Sequence, residues 1–186
     1  MKKVIFVILI LIYANSQALS EYEARYSLNA STDLGSLKVG TADFKLELTG
    51  SNEFIFSSQS YTDSIWKKLY DYTRYEKSIG SIEDDNIIGS LYDIVEIEKD
   101  GVTKNNKILI NNNEGFVLIN NEKRWESNSK LIVDELNVYL ALSMNLQKNP
   151  NQKEFSFYVV DEKGIQLVNF INSGPVSYTH LTLTTN

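Results

Sequence analysis

Alternation of apolar and polar residues runs through most of the chain and predicts short β-strands separated by polar turns. Residues 21–29 alternate strictly, and one face of the strand they predict carries Tyr22, Ala24, Tyr26 and Leu28. In the next strand the apolar residues change parity at Gly40, which indicates a bulge or bend there. Continued along the chain, these patterns predict about ten strands.

The segments between these strands are short and polar, which indicates antiparallel pairing of neighbours. Asp100-Gly101 predicts a tight hairpin. Residues 111–115 and 161–164 predict two further turns. The aromatic-rich stretch 65–79 predicts two more strands.

One helix is predicted at about residues 133–148, and no charged side chain lies between Glu135 and Lys148. Asp134 has the position of its N-cap, and Pro150 ends it. Apolar residues occupy most sides of this helix, so we expect it to be buried on most sides. The sequence therefore predicts a mainly β fold, with a curved antiparallel sheet forming a barrel or half-barrel around one central apolar helix.

Residues 1–18 have the pattern of an export signal. Lys2 and Lys3 precede an apolar run over residues 4–13, and small residues lead up to Ala18. We expect cleavage after Ala18, which releases a single β-rich domain over residues 19–174 into the periplasm of a Gram-negative bacterium. The apolar run is short for a bilayer span and no cysteine stands at the cleavage point, which argues against stable membrane insertion and a lipoprotein anchor.

The end of the chain, residues 175–186, resembles a translated sequencing adapter, with Thr184 as the one departure. We therefore expect a non-native tail on a truncated gene. An ordinary C-terminal strand is the alternative, because residues 178–184 are rich in β-formers. His180, the only histidine of the chain, lies in this tail.

Residues 19–174 contain neither cysteine nor histidine. Thiol nucleophiles, thiolate metal sites and histidine-dependent triads are therefore excluded from this part of the chain. The net charge of −6 argues against nucleic acid and anionic membrane surfaces as partners. The acidic run 83–86 lacks the spacing of a calcium loop, which favours a solvated turn. We predict no catalytic residue, cofactor or metal site.

Aromatic residues are the one abundant feature, with eleven Tyr, eight Phe and two Trp. Core packing is the simpler explanation for those on apolar faces of the strands. The alternative is an apolar ligand cavity inside a curved sheet, as small barrels often enclose. The candidate ligand-facing residues are Tyr22, Tyr26, Phe44, Phe54 and Phe56.

Several segments together resemble a bacterial exported family known as domain of unknown function 3108. They are the opening strand Tyr22-Glu23-Ala24-Arg25-Tyr26, Gly40, the segment Tyr75-Glu76-Lys77-Ser78-Ile79-Gly80, and Val133-Asp134-Glu135-Leu136 with Tyr139-Leu140. The resemblance covers residues 21–174, and Gly89-Ser90-Leu91 departs from it where family members tend to carry a proline before the tyrosine at Tyr92. It implies a curved, barrel-like antiparallel sheet around a helix and no catalytic residues.

The leading hypothesis for function is a soluble, non-enzymatic periplasmic protein that binds a lipid or glycan in envelope maintenance. One alternative is an envelope hydrolase that uses a pair of carboxylates. Another is a partner-binding module that adds a strand to an envelope protein.

Overall fold

The structure, a computed structural model, describes residues 19–32, 35–128 and 131–173. Within them lie eleven strands and one helix: β1 (Tyr22–Thr32), β2 (Gly35–Leu48), β3 (Glu53–Thr62), β4 (Tyr72–Glu83), β5 (Asn86–Glu98), β6 (Gly101–Asn111), β7 (Phe116–Ile119), β8 (Lys123–Glu126), β9 (Ile132–Asp134), α1 (Val138–Lys148), β10 (Glu154–Asp161) and β11 (Gly164–Ile171). The predicted export signal, with its cleavage site after Ala18, and the predicted tail 175–186 lie outside the described residues.

Strands β1 to β8 form one antiparallel sheet in chain order, and β11, β10 and β9 form a second sheet. The short turns explain the first arrangement, because each strand returns directly beside the previous one. Strands β9 and β10 pair in parallel, and α1 makes the connection between them. The predicted mainly β class, antiparallel pairing and single helix are confirmed.

The eight-stranded sheet does not close in the described residues. Strands β1 and β8 are its two edges, and no hydrogen-bonded pairing joins them there. The sheet also lacks a strong curl, so the predicted barrel is not confirmed.

Cross-strand register places side chains in rows across this sheet. One row is formed by Tyr22, Leu46, Phe56, Ser78, Tyr92 and Ile108. The next two rows on the same face are Ala24, Phe44, Ser58, Glu76 and Ile94, and Tyr26, Ala42, Ser60, Arg74, Glu96 and Lys104. We call this the inner face and the opposite side of the sheet the outer face.

The second sheet and α1 cover the inner face on the side of β4 to β6. Helix α1 contacts β5, β9 and β10, and β9 contacts β5. The core between the layers includes Phe54, Tyr92, Ile94, Ile108, Ile132 and Val160. Burial of such side chains contributes roughly 1.5–3 kcal/mol each and holds the two layers together.

The bulge predicted at Gly40 is confirmed. The register between β1 and β2 shifts after Leu28, so that Val39 is the extra residue beside Gly40. A Cβ on Gly40 would lie 2.6 Å from the carbonyl oxygen of Tyr61, so the strands approach closely only because this residue has no side chain.

The helix differs from its prediction in where it begins and in how much of it is buried. It starts at Val138, and Asp134 is the last residue of β9 rather than an N-cap. Backbone N–H groups of Leu136 and Asn137 donate to Asp134 Oδ1 and close a turn before the helix. Only one side of α1 is buried, through Val138, Leu140 and Ala141. The helix therefore lies on the sheet and is not enclosed by it.

The prediction of two strands within residues 65–79 is wrong for its first half. Residues 64–69 form turns, and β4 begins at Tyr72. The backbone N–H groups of Trp66 and Lys67 both donate to the carbonyl oxygen of Asp63. These local hydrogen bonds replace a strand ladder, because the same backbone groups cannot serve both.

Candidate functional site

The inner face near β1 carries an aromatic surface formed by Tyr22, Tyr26, Phe44 and Phe56. The ring centroids of Tyr26 and Phe44 are 5.7 Å apart and those of Phe44 and Phe56 are 6.1 Å apart. Tyr22 continues the surface at 6.1 Å from Phe56. Tyr22 is 40% exposed and Tyr26 is 59% exposed, so this part of the inner face is open to solvent.

Four of the five aromatic residues predicted to face a ligand thus lie together. Two of them, Tyr22 and Tyr26, are accessible, Phe44 is half-buried and Phe56 is buried beneath them. The fifth, Phe54, is fully buried, and a Cβ on Gly80 would lie 2.8 Å from its Cζ. Phe54 therefore belongs to the core, and its prediction as a ligand-facing residue is wrong.

An apolar pocket of about 310 Å³ lies beside the aromatic surface. It is lined by Leu28, Val39, Gly40, Ser60, Tyr61, Thr62, Trp66, Leu69, Tyr70 and Tyr72. Leu28 is two residues along β1 from Tyr26 and on the same face, so the pocket and the aromatic surface are adjacent. The surface that these residues expose to the pocket is almost entirely apolar, although several of them carry a hydroxyl group.

The turn segment 63–71 forms one wall of this pocket and is fixed at its start. The Asp63 carboxylate accepts a hydrogen bond of 3.0 Å from Thr41 Oγ1 and pairs with Lys38 Nζ at 3.0 Å. The indole Nε1 of Trp66 donates to the carbonyl oxygen of Lys38 at 3.0 Å. Beyond these anchors Leu69 is 80% exposed, an unusual placement for a leucine.

A polar cluster occupies the inner face between the aromatic surface and the covered core. It consists of Ser58, Arg74, Glu76, Tyr92, Glu96 and Glu135, with Lys104 and Glu162 at its far end. The Arg74 guanidinium contacts Glu96 at 2.7 Å, Glu76 at 2.8 Å and Glu135 at 3.3 Å. Because Glu135 follows β9, this arginine joins the two layers.

Burial and neighbouring charges shift the pKa values of two acids of this cluster in opposite directions. Burial raises the pKa of Glu76, but hydrogen bonds from Arg74 and Tyr92 outweigh it and hold that pKa below its usual range. The pKa of Glu135 is raised, chiefly by burial, and Arg74 offsets only part of this effect. The hydroxyl of Tyr92 donates to Glu76, and burial together with that carboxylate raises the pKa of the phenol.

Glu76 and Glu135 form a close carboxylate pair on the inner face that can be compared with the pair of a hydrolase. Both reach Nη2 of Arg74, so their nearer oxygens are no more than about 6 Å apart, near the separation of a retaining pair. The guanidinium bridges them, however, and keeps both engaged. This geometry argues against a nucleophile and acid acting on a substrate held between them.

A second concavity, of about 680 Å³, is a shallow groove across β1 to β4. Among its charged side chains, Arg25 pairs with Asp43 and Lys45 with Glu23, whereas Lys77 makes no ion pair within the described residues. The groove therefore offers a ligand few unpaired polar groups, and the smaller apolar pocket is the better candidate for binding.

No group of three or more acidic or histidine side chains in the described residues is placed to hold a metal ion. In the same part of the chain, no helix has the length and apolarity needed to cross a membrane. The acidic run 83–86 forms the β4–β5 turn, with Asp84 and Asp85 at positive φ.

Comparison of the chain with known protein families, curated proteins and solved structures finds no match. The resemblance to domain of unknown function 3108 therefore stays a prediction.

Sequence reasoning missed the turn segment with Trp66 and Leu69, and it missed the polar cluster. The first has the high aromatic content that is typical of a strand. The second had a visible signal, since Arg74, Glu76 and Ser78 share one face of a strand at a spacing of two residues. Nothing in the sequence showed that this polar face turns inward.

Proposed function

We propose that this protein is exported to the periplasm and binds the apolar chain of a lipid, without catalysing a reaction on it. The observation that supports the proposal most directly is the position of the apolar pocket next to the aromatic surface on an open face. Both lie on the inner face of the large sheet, which we propose acts as a half-barrel. Tyr26 and Leu28 would bind the chain along β1, and Leu69 would cover it.

The chemistry of the pocket favours a hydrocarbon chain over a glycan. A sugar ring needs several hydrogen-bonding groups beside its stacking partners, because unpaired hydroxyls are costly to bury. The pocket lining is almost wholly apolar. An acyl chain gains about 0.8 kcal/mol for each buried CH₂, so a pocket of this size gives useful affinity to a medium-length chain.

Two measurements test the binding proposal. Native mass spectrometry of protein purified from the periplasm, followed by solvent extraction, should detect a bound lipid. A dansyl-labelled undecanoic acid should bind the delipidated protein with enhanced fluorescence, and unlabelled lauric acid should displace it.

Leu69→Glu provides the decisive variant, because this residue is exposed and its replacement should not impair folding. A carboxylate in the wall of an apolar pocket should weaken probe binding by about tenfold or more. Leu167→Glu is the matched control, since Leu167 is a 55% exposed leucine on β11. Equal affinity in both variants, or absence of any bound lipid and of probe binding, would overturn the proposal.

Export has its own test. Expression of residues 1–186 in a Gram-negative host should place the protein in the periplasmic fraction, with Leu19 as the first residue by intact mass. Retention in the cytoplasm with Met1 present would contradict the proposed export signal.

The hydrolase and strand-addition alternatives are weaker as principal functions. The bridging of Glu76 and Glu135 by Arg74 argues against the first. Activity that hydrolyses envelope glycans, and that Glu76→Gln abolishes, would reinstate it. Strand addition to another envelope protein would appear as a complex that forms through an exposed edge strand.

A further inference from the structure

Strand β1 is a long edge with an apolar side. It spans Tyr22–Thr32 and pairs with β2 on one side, whereas the described residues supply no partner for its other side. Its inner face exposes Tyr22, Tyr26 and Leu28. Edge strands of this length that lack proline and glycine offer unpaired backbone groups to another strand, and folded proteins usually cover or interrupt them.

The outer face of β1 carries two opposite charges two residues apart, Glu23 and Arg25. Each is already paired within the sheet, Arg25 with Asp43 and Glu23 with Lys45 at 3.7 Å. Both side chains remain about three-quarters exposed, at 76% for Glu23 and 74% for Arg25. They are therefore available to a strand added at this edge.

We propose that β1 pairs antiparallel with β1 of a second copy of this chain, in the register centred on Ala24. This register is self-complementary about a two-fold axis. It places Glu23 opposite Arg25 of the second copy, and the symmetry repeats that ion pair. On the inner face it places Tyr22 opposite Tyr26 of the second copy, an aromatic cross-strand pair.

Neighbouring registers are less complementary, although pairing centred on Glu23 also sets Arg25 opposite Glu21 of the second copy. Pairing centred on Glu23 sets two glutamates opposite each other, and pairing centred on Arg25 sets two arginines opposite each other. The Ala24 register instead extends the existing charge pattern of the outer face. From one copy to the next the row reads Lys45, Glu23, Arg25 and Asp43, with alternating sign across the junction.

Pairing in this register also joins the aromatic surfaces of the two copies into one continuous apolar face. The inference does not depend on lipid binding, because it rests on the edge that the described residues leave unpaired and on the charges of the outer face. A dimer without a bound lipid would support it as fully as a dimer with one.

A cysteine cross-link tests the register directly, since the chain contains no cysteine of its own. Residues opposite each other in an antiparallel pair have Cα atoms about 4.5–5.5 Å apart, within reach of a disulfide. Ala24→Cys should therefore form a disulfide-linked dimer under mild oxidation. Ser27→Cys is the matched control, because in this register the two introduced thiols are offset by six residues, roughly 20 Å.

Charge reversal provides an independent measurement by sedimentation velocity. Arg25→Glu or Glu23→Arg alone should weaken dimerisation about tenfold or more, because each places two like-charge pairs at the junction. The double variant Glu23→Arg with Arg25→Glu restores opposite charges at the junction but sets like charges beside Lys45 and Asp43 within each copy, so it should recover part of the dimerisation. Lys77→Glu, a charge reversal on β4 away from the edge, should leave it unchanged.

The proposal fails if the purified protein is monomeric at all concentrations tested. It also fails if Ala24→Cys and Ser27→Cys cross-link equally, or if the double variant is no stronger a dimer than either single variant. Capture of a different protein by β1, with no self-association, would likewise overturn it and would support the strand-addition alternative.

Discussion

The hydroxyl of Ser78 donates a 2.6 Å hydrogen bond to Oδ2 of Asp134, which links β4 of the large sheet to the end of β9. Neither residue is accessible to solvent. Because Oδ1 of the same carboxylate accepts the backbone N–H groups of Leu136 and Asn137, one side chain connects the layers and shapes the turn before α1. Burial nevertheless dominates and raises the pKa of Asp134 from 3.8 to about 7.

The first prediction concerns the pH dependence of stability. An acid whose pKa is raised by folding binds its proton more tightly in the folded state. The contribution of Asp134 to the free energy of unfolding is therefore fully present below its unfolded pKa and is lost as the pH rises towards about 7. Asp134→Asn should remove this pH dependence, because an amide can also donate to Ser78 and accept from the backbone.

Urea unfolding of both proteins from pH 4 to pH 8 provides the measurement. The stability difference should favour Asp134→Asn increasingly with pH and reach on the order of a few kcal/mol at pH 8. Because Glu76 and Glu135 are present in both proteins, the difference in stability at each pH removes their contribution to the pH dependence. A variant that is equally destabilised at every pH would contradict the prediction.

Arg74 should be the most sensitive position of the polar cluster. Arg74→Met leaves Glu76, Glu96 and Glu135 without their shared cation and should destabilise the fold by about 3–5 kcal/mol at pH 7. The loss should shrink at acid pH as Glu76 and Glu135 are protonated. Arg124→Met, at an exposed arginine on β8, is the control and should cost less than about 1 kcal/mol in thermal unfolding.

The close approach at Gly80 predicts a strong effect of one added methyl group. A Cβ there would lie 2.3 Å from the carbonyl oxygen of Ile88 and 2.8 Å from Cζ of Phe54. Gly80→Ala should therefore lower the free energy of unfolding by about 1–3 kcal/mol or prevent folding. Gly50→Ala meets no atom closer than 3.8 Å and should be nearly neutral. Similar melting temperatures for both variants would show that the strands can separate at Gly80 without cost.

Asn112 links β5 to β9 through its side chain. Its Nδ2 donates to the carbonyl oxygens of Gly89 and Ile132, and its Oδ1 accepts from the backbone N–H of Ile132 at 2.6 Å. Asn112→Ala leaves these buried groups unpaired and should cost about 2–4 kcal/mol. Amide hydrogen exchange at Ile132 should accelerate more than elsewhere in the core. Asn113→Ala, at the exposed neighbour, should leave both quantities unchanged.

Much of the fold follows from local pattern. The alternation in residues 21–29, the parity change at Gly40 and the hairpin at Asp100-Gly101 all correspond to observed structure. Such features need only the side-chain period of a strand and the backbone freedom of glycine, which are properties of short segments. The sequence does not show where the helix starts, because a capping aspartate before an apolar run has the same pattern whether it precedes a helix or a turn.

The sequence by itself determined that the chain forms an antiparallel, mainly β fold with one helix, because strand period and turn chemistry are local. Only the tertiary structure decided which aromatic residues are accessible. Tyr26 and Phe54 both lie on the apolar side of a strand with alternating residues. Tyr26 is at the open edge of the sheet and exposed, whereas Phe54 is buried beneath the second layer. Only the tertiary structure also brought Arg74 to Glu135, across 61 residues of chain. Burial and long-range pairing depend on how layers pack, and no local pattern encodes that packing.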